Sequence, residues 1–241
     1  MRCAIVIPAR MGSTRFPGKP LADLCGKPMV AWVAEAAQSS GVADTVVVAT
    51  PDQEIADACR ALGIESAMTS HDCPTGTDRI AEVAEKVVAE VYVNVQGDEP
   101  LIDAESIAAC ARPLLEDTGI AMGSVYGELG EEEEDDPNVV KVVTSLDGFA
   151  IYFSRFAVPF ARNPRIEPLK KHVGLYAYRR DALQAFATWV QTPLEVAESL
   201  EQLRFVEHGM RIKMSPGNAT ALAVDTPEQA EAVRGLLQAR G

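Results

Sequence analysis

Apolar residues along the first half of the chain follow two alternating rhythms. The β-branched runs "CAIVI", "TVVVAT", "IESAM" and "VYVNVQ" read as strands, the first of them buried. Between and after them come Ala-rich stretches of helical period. These are "PMVAWVAEAAQS" with Pro28 at its first turn, "DQEIADACRALG" closed by Gly63, "DRIAEVAEKVVAE" and "DAESIAACARPLLED". Strands alternating with helices of this length imply βαβ units, hence a doubly wound, mostly parallel α/β sheet. After Gly119 the rhythm changes. "IAMGSVYG", "NVVKVVTS", "FAIYFS" and "KHVGLYAYR" are strand-like with no helix between them. They predict antiparallel strands that extend the sheet or form a small subdomain. Helices near 181–188 and 194–207, a strand "RIKMS", a short strand "ALAV" and a helix "PEQAEAVRGLLQA" complete the pattern. No repeat or linker divides the chain, so residues 1–241 read as a single domain with halves at 1–118 and 119–241.

Charge narrows the choice of partners. A net charge of −13 disfavours nucleic acid and anionic membranes, which call for a basic surface. The scattered Cys3, Cys25, Cys59, Cys73 and Cys110 carry no C-x-x-C pair, so neither a zinc site nor a disulfide framework is indicated. No apolar run reaches the roughly 20 residues of a membrane-spanning helix. Pro8 also cuts the N-terminal apolar segment short of a signal peptide. The expected location is the cytoplasm.

Against that acidic background, "PARMGSTRFPGKP" stands out. Arg10, Arg15 and Lys19 are interleaved with Gly12, Ser13, Thr14 and Gly18, and the segment holds no acid. It follows the first strand, where a doubly wound sheet binds its ligand. It matches neither G-x-G-x-x-G nor the P-loop. Glycines that admit backbone N–H groups, together with three cations, suit a polyphosphate. A second segment, "VNVQGDEPL", ends an apolar strand in Gln96, Gly97, Asp98 and Glu99. Carboxylates there suit Mg²⁺, Asp98 better than Glu99, and they suit a helix N-cap equally. In "LAVDTPEQ", Asp225 alone reads as a helix start, and only pairing with Asp98 in space makes it a metal ligand. "HDCPTGTDRI" is a polar loop on the same side of the sheet. Taken alone, His172 reads as structural, Glu201 and Gln202 as a solvated helix face, and "EEEEDD" at 131–136 as a surface loop.

Taken together and in order, "IPARMGSTRFPGKPL", "TGTDR", "VNVQGDEPLI", "NVVKVV", "YFSR", "KHVGLYAYR", "LEQLR" and "VDTPE" resemble the 3-deoxy-manno-octulosonate (Kdo) cytidylyltransferase family over nearly the whole chain. The resemblance implies the Rossmann-like nucleotide-diphospho-sugar transferase fold with a small antiparallel extension. It also implies a cytoplasmic homodimer that makes CMP-Kdo from CTP and Kdo, with Mg²⁺, for lipopolysaccharide synthesis. Residues 1–118 would bind the nucleotide, and 119–241 the sugar and the second subunit. Ala9, Arg10, Gly12, Ser13, Arg15, Lys19 and Asp98 match the triphosphate site, and Thr77 and Arg79 a segment near the cytosine. Gln96, Arg155, His172, Tyr176, Glu201 and Gln202 match the sugar pocket, where His172 and Arg155 would supply donors to the sugar's carboxylate. Asp98 and Asp225 match the metal ligands, and Arg15, Lys19, Asp98 and Asp225 are the expected catalytic set. The I-P-A-R loop is shared with the sialic acid enzyme, but Thr14-Arg15 stands where that relative typically has Lys-Gly. "GLYAYRR" and "SPGNATALAVD" depart from the usual family pattern. An offshoot using 8-amino Kdo resembles the chain at "RFPGKP" and "KHVGLYAY", so the alternative substrates are that analogue and sialic acid.

Overall fold

The structure is a computed structural model that describes residues 1–219 and 222–240. Its first half runs β1 (Cys3–Pro8), the short hairpin β2 (Asp23–Leu24) and β3 (Lys27–Pro28), then α1 (Met29–Ser39), β4 (Thr45–Thr50) and α2 (Gln53–Ala61). β5 (Glu65–Met68), α3 (Gly76–Lys86), β6 (Val91–Asn94) and α4 (Ala104–Glu116) follow. The second half holds β7 (Met122–Glu128), β8 (Lys141–Thr144), β9 (Ala150–Ser154), β10 (Lys170–Arg179) and α5 (Arg180–Thr188). It ends with α6 (Pro193–Glu198), α7 (Gln202–Glu207), β11 (Ile212–Pro216) and α8 (Pro227–Arg240).

The main sheet has the order β11-β7-β10-β6-β1-β4-β5, with β8 and β9 forming a hairpin off β10. Parallel pairs join β1 to β4 and β6, β4 to β5, and β11 to β7. Only β10 runs against its neighbours on this path. This is the expected mixed, mostly parallel sheet with a small antiparallel extension. β10 lies between β6 and β7, so both halves of the chain share one sheet.

Alternation in β1 explains why both faces are covered. Cys3, Ile5 and Ile7 pack on one side with residues of α1, α2 and α4. Ala4 and Val6 pack on the other with residues of α3, α5 and α7. Side chains of a strand alternate across the sheet, so a continuously apolar run needs two covering layers. From β1 the chain moves to one side through β4 and β5, then crosses to β6 on the other. The crevice between the C-terminal ends of β1 and β6 is therefore a topological switch point, the place where such sheets bind ligands. Gly97 brings the two ends close. A Cβ there would lie 2.7 Å from the Pro8 carbonyl oxygen, so no larger residue fits.

Three elements differ from the sequence pattern. The helix expected from Asp78 starts at Gly76, because Thr75 accepts from Asp78 N and the Asp78 carboxylate accepts from Thr75 N. It ends at Lys86, before the β-branched pair Val87–Val88, and Val87 is extended. The single helix expected over 194–207 is broken at Ser199, whose φ of 52° is left-handed. In "ALAV", Ala221 lies outside the described residues and 222–224 form no strand. Instead Val224 N donates a single 2.8 Å bond to Asp98 O, tying the two acidic segments together.

Candidate active site

The loop after β1 is held at several points. Ala9 N donates to Ala49 O, Met11 N to the Asp52 carboxylate, and Phe16 N to Ser13 Oγ. Gly18 takes a φ of 71°, which favours glycine, and leads into a single turn over Lys19–Leu21 with Pro20 buried. That turn aims Lys19 across the switch point. Its Nζ lies 2.7 Å from Asp98 Oδ2 and 3.0 Å from Asp225 Oδ1, and Arg15 reaches Asp225 Oδ2 at 3.0 Å. Lys19 is 13% exposed and Arg15 66%. Opposite charges about 4 Å apart attract by roughly 4 kcal/mol at an effective dielectric near 20, against about 1 in water. The Lys19 bridge therefore dominates, and the Arg15 contact contributes about 0–1 kcal/mol.

Neither aspartate caps a helix. Asp103 caps α4, its carboxylate accepting from Ser106 N at 2.8 Å. At the start of α8, Gln229 Oε1 accepts from Asp225 N and Thr226 N, while Thr226 Oγ1 accepts from Gln229 N. Other residues thus do the capping, and both carboxylates point at one ammonium. The pairing that the sequence left open is present. Two carboxylates around one small cation suit Mg²⁺, which fills its remaining positions with water and phosphate oxygens. Among the described residues no cluster of three or more His, Cys, Asp or Glu could hold a metal. Glu99 turns the other way, towards Gly174. Burial, with the Asp98 charge adding to it, pushes its carboxyl up to about 8.

Two adjoining cavities open here. The first, of about 500 Å³, is lined by Ala9, Arg10, Gly12, Ser13, Arg15, Lys19, Asp98 and Asp225, together with Arg79. Arg79 is buried and donates to Thr69 Oγ1 and, at 3.0 Å, to Ser70 O. The second, of about 300 Å³, is lined by Thr77, Asn94, Tyr176, Tyr178 and Gln202, among others. Gln96 and Glu201 line both, so the cavities meet. The break at Ser199 brings Glu201 and Gln202 to this wall, where Thr77 Oγ1 donates to Glu201 Oε2 at 3.0 Å. Burial raises the Glu201 carboxyl above its ordinary range, and the Thr77 bond opposes that.

A family model described as "Cytidylyltransferase" matches residues 4–212. The 3-deoxy-manno-octulosonate cytidylyltransferase of Geobacter sulfurreducens is 48% identical, the match covering 97% of this chain and 98% of the relative. The chain belongs to this cytidylyltransferase family. The enzyme of the same name from Myxococcus xanthus is 45% identical, over 100% of this chain and 98% of the relative. A solved structure of CMP:2-keto-3-deoxy-manno-octonic acid synthetase complexed with CTP superposes with a TM-score of 0.97. It is 41% identical, with full coverage of both chains.

Within this cytidylyltransferase the expected sites separate further. Thr77, expected near the cytosine, lines the second cavity rather than the first. Arg155 lines neither. Its guanidinium donates to the carbonyls of Pro137, Glu198 and Ser199, and so braces the α6–α7 turn from behind. His172 also lines neither cavity; it bonds Ser124 Oγ at 3.0 Å and stands edge-on to Phe153. Asn94 and Tyr178 were not singled out from the sequence. The signal was one polar residue inside the apolar run "VYVNV".

Burial pushes the His172 imidazole down to about 3. The folded protein keeps the ring neutral while the unfolded chain protonates it near 6.5, so acid favours unfolding from about pH 6.5 downward. In an NMR pH titration the His172 ring should stay neutral from pH 8 to about 4. A midpoint near 6.5 would contradict its half-buried setting, bonded to Ser124 Oγ and packed on Phe153.

Proposed function

We propose that this chain transfers CMP from CTP to the anomeric hydroxyl of Kdo, releasing pyrophosphate. The observation that carries this reading is the meeting of Lys19, Asp98 and Asp225 beneath the basic loop, beside a polar second cavity. Glycine-spaced backbone, Arg10, Arg15 and Lys19 fit a triphosphate in the first cavity, which Arg79 also lines. The second cavity, joined at Gln96 and Glu201, fits a hydroxylated acceptor.

The reaction follows from that layout. The sugar's anomeric oxygen forms a bond to the α-phosphorus as the bond from that phosphorus to the β-phosphate oxygen breaks, in line. The hydroxyl proton is lost to solvent. Negative charge grows on the leaving pyrophosphate, and Arg15 and Lys19 are placed to neutralise it. Gln96, at the junction, lies where it can orient the acceptor, and catalysis is mainly positioning and electrostatics. Asp98 and Asp225 would hold Mg²⁺, which when bound supplies charge neutralisation on the phosphates.

The reaction belongs in the cytoplasm, which supplies CTP. The five cysteines are free, as suits a reducing compartment, and no helix among the described residues is long and apolar enough to cross a membrane. Phe156, Phe160 and Ile166 are each exposed large apolar side chains, which suits burial against a second copy.

Pyrophosphate release with CTP, Mg²⁺ and a panel of Kdo, 8-amino Kdo and sialic acid tests the assignment. Kdo should give the highest kcat/KM, and a preference for either other sugar would transfer the assignment to it. Asp98→Asn and Asp225→Asn should each lower turnover at least about 100-fold; wild-type rates in either would remove that residue from the site. Light scattering on a sizing column should give twice the 25.9 kDa chain mass, and a monomer at micromolar concentration would refute the dimer.

A further inference from the structure

The second cavity contains an unusual pair of atoms. Asn94 and Gln202 are 2% and 3% exposed, and both line this cavity. Asn94 Oδ1 and Gln202 Nε2 are buried with no hydrogen-bond partner among the described residues. One is an acceptor and the other a donor. Leaving such atoms unpaired costs folding free energy, and native proteins rarely tolerate it without a use. The strand fixes Asn94: it is paired with Val6 on one side and Tyr176 on the other, at the end of β6. Thr77 and Tyr178 line the same cavity beside it. The paired strand thus holds the amide at the cavity wall with its oxygen left over.

The cavity's charge indicates which part of a ligand enters. Its lining includes Glu201 and no Arg, Lys or His. A carboxylate placed there would face Glu201 without a compensating cation, which is strongly unfavourable away from water. The cations Arg10, Arg15 and Lys19 line the first cavity. The neutral, hydroxyl-bearing end of a sugar acid therefore fits the second cavity, with its carboxylate directed out of it.

The geometry points to Asn94 as a specificity-determining residue whose carboxamide oxygen accepts a hydrogen bond from one hydroxyl of the sugar acid, with Gln202 Nε2 donating to a sugar oxygen beside it. This rests on the reading that the second cavity holds the acceptor sugar. A site built around buried hydrogen-bonding atoms rejects an analogue lacking the matching hydroxyl, because those atoms then stay unpaired.

The test is steady-state kinetics of the full-length enzyme with CTP, Mg²⁺, Kdo and a set of Kdo analogues each lacking one hydroxyl. Asn94→Leu should raise the KM for Kdo about 10- to 100-fold and leave the KM for CTP within about twofold. On the wild type, one analogue should lose a similar factor; on Asn94→Leu that same analogue should lose nothing further. This pairing distinguishes direct contact from a structural effect, which would penalise every sugar alike. Asn94→Ser, too short to reach the same hydroxyl, gives the same comparison if the leucine variant does not fold. Equal penalties on all analogues would overturn the proposal. So would an unchanged Kdo KM in the Asn94 variants while Glu201→Gln and Gln202→Leu raise it. If none of the variants alters the Kdo KM, the placement of the sugar in this cavity falls as well.

Discussion

One ammonium between two carboxylates organises the site. Lys19 comes from the loop after β1, Asp98 from the end of β6, and Asp225 from the segment before α8. The carboxylates are 79 and 206 residues away from Lys19 in sequence. Two carboxylates this close repel each other, and such an arrangement persists only with positive charge between them. The sheet provides the approach. Parallel strands β1 and β6 end on the same edge, and Gly97 lets the second loop pass against the Pro8 carbonyl. The bond from Val224 N to Asp98 O then fixes the third segment to the second.

From that bridge the site divides by charge. The first cavity carries its cations on the glycine-spaced loop. The second is walled by Tyr176, Tyr178, Asn94, Gln202 and Glu201 and lacks a cation among its lining residues. Burial acts on the groups around it in a consistent direction. It keeps His172 neutral, raises Glu99 and Glu201, and raises the phenols of Tyr176 and Tyr178. Each shift favours the uncharged form, as low local dielectric requires. The first surface thus suits a polyanion and the second a polyol, and the two join at Gln96 and Glu201.

Much of this was legible in the chain because the relevant signals are local. The apolar alternation in "CAIVI" foretold a strand covered on both faces, and the Arg-Lys-Gly loop expected to bind an anion does line a cavity at that strand's end. The aspartates were different. Asp98 and Asp225 each stand where a helix cap also stands, and no local pattern separates the two roles. The separation came from knowing that Asp103, Thr226 and Gln229 do the capping. The helix expected over 194–207 failed at Ser199, a residue with no strong left-handed preference that tertiary packing nonetheless holds there. Arg155 illustrates the same limit: a cation beside the motif "YFS", its partners turn out to be backbone carbonyls that only the fold assembles.

The central claim is that Asp98 and Asp225 form one cation site, assembled from segments far apart in the chain. Binding of Mn²⁺, followed by electron paramagnetic resonance in the presence of a non-hydrolysable CTP analogue, examines it without relying on turnover. The account predicts a protein-bound Mn²⁺ signal in the wild type that weakens at least about tenfold in both Asp98→Asn and Asp225→Asn. Wild-type Mn²⁺ affinity in either variant would contradict it.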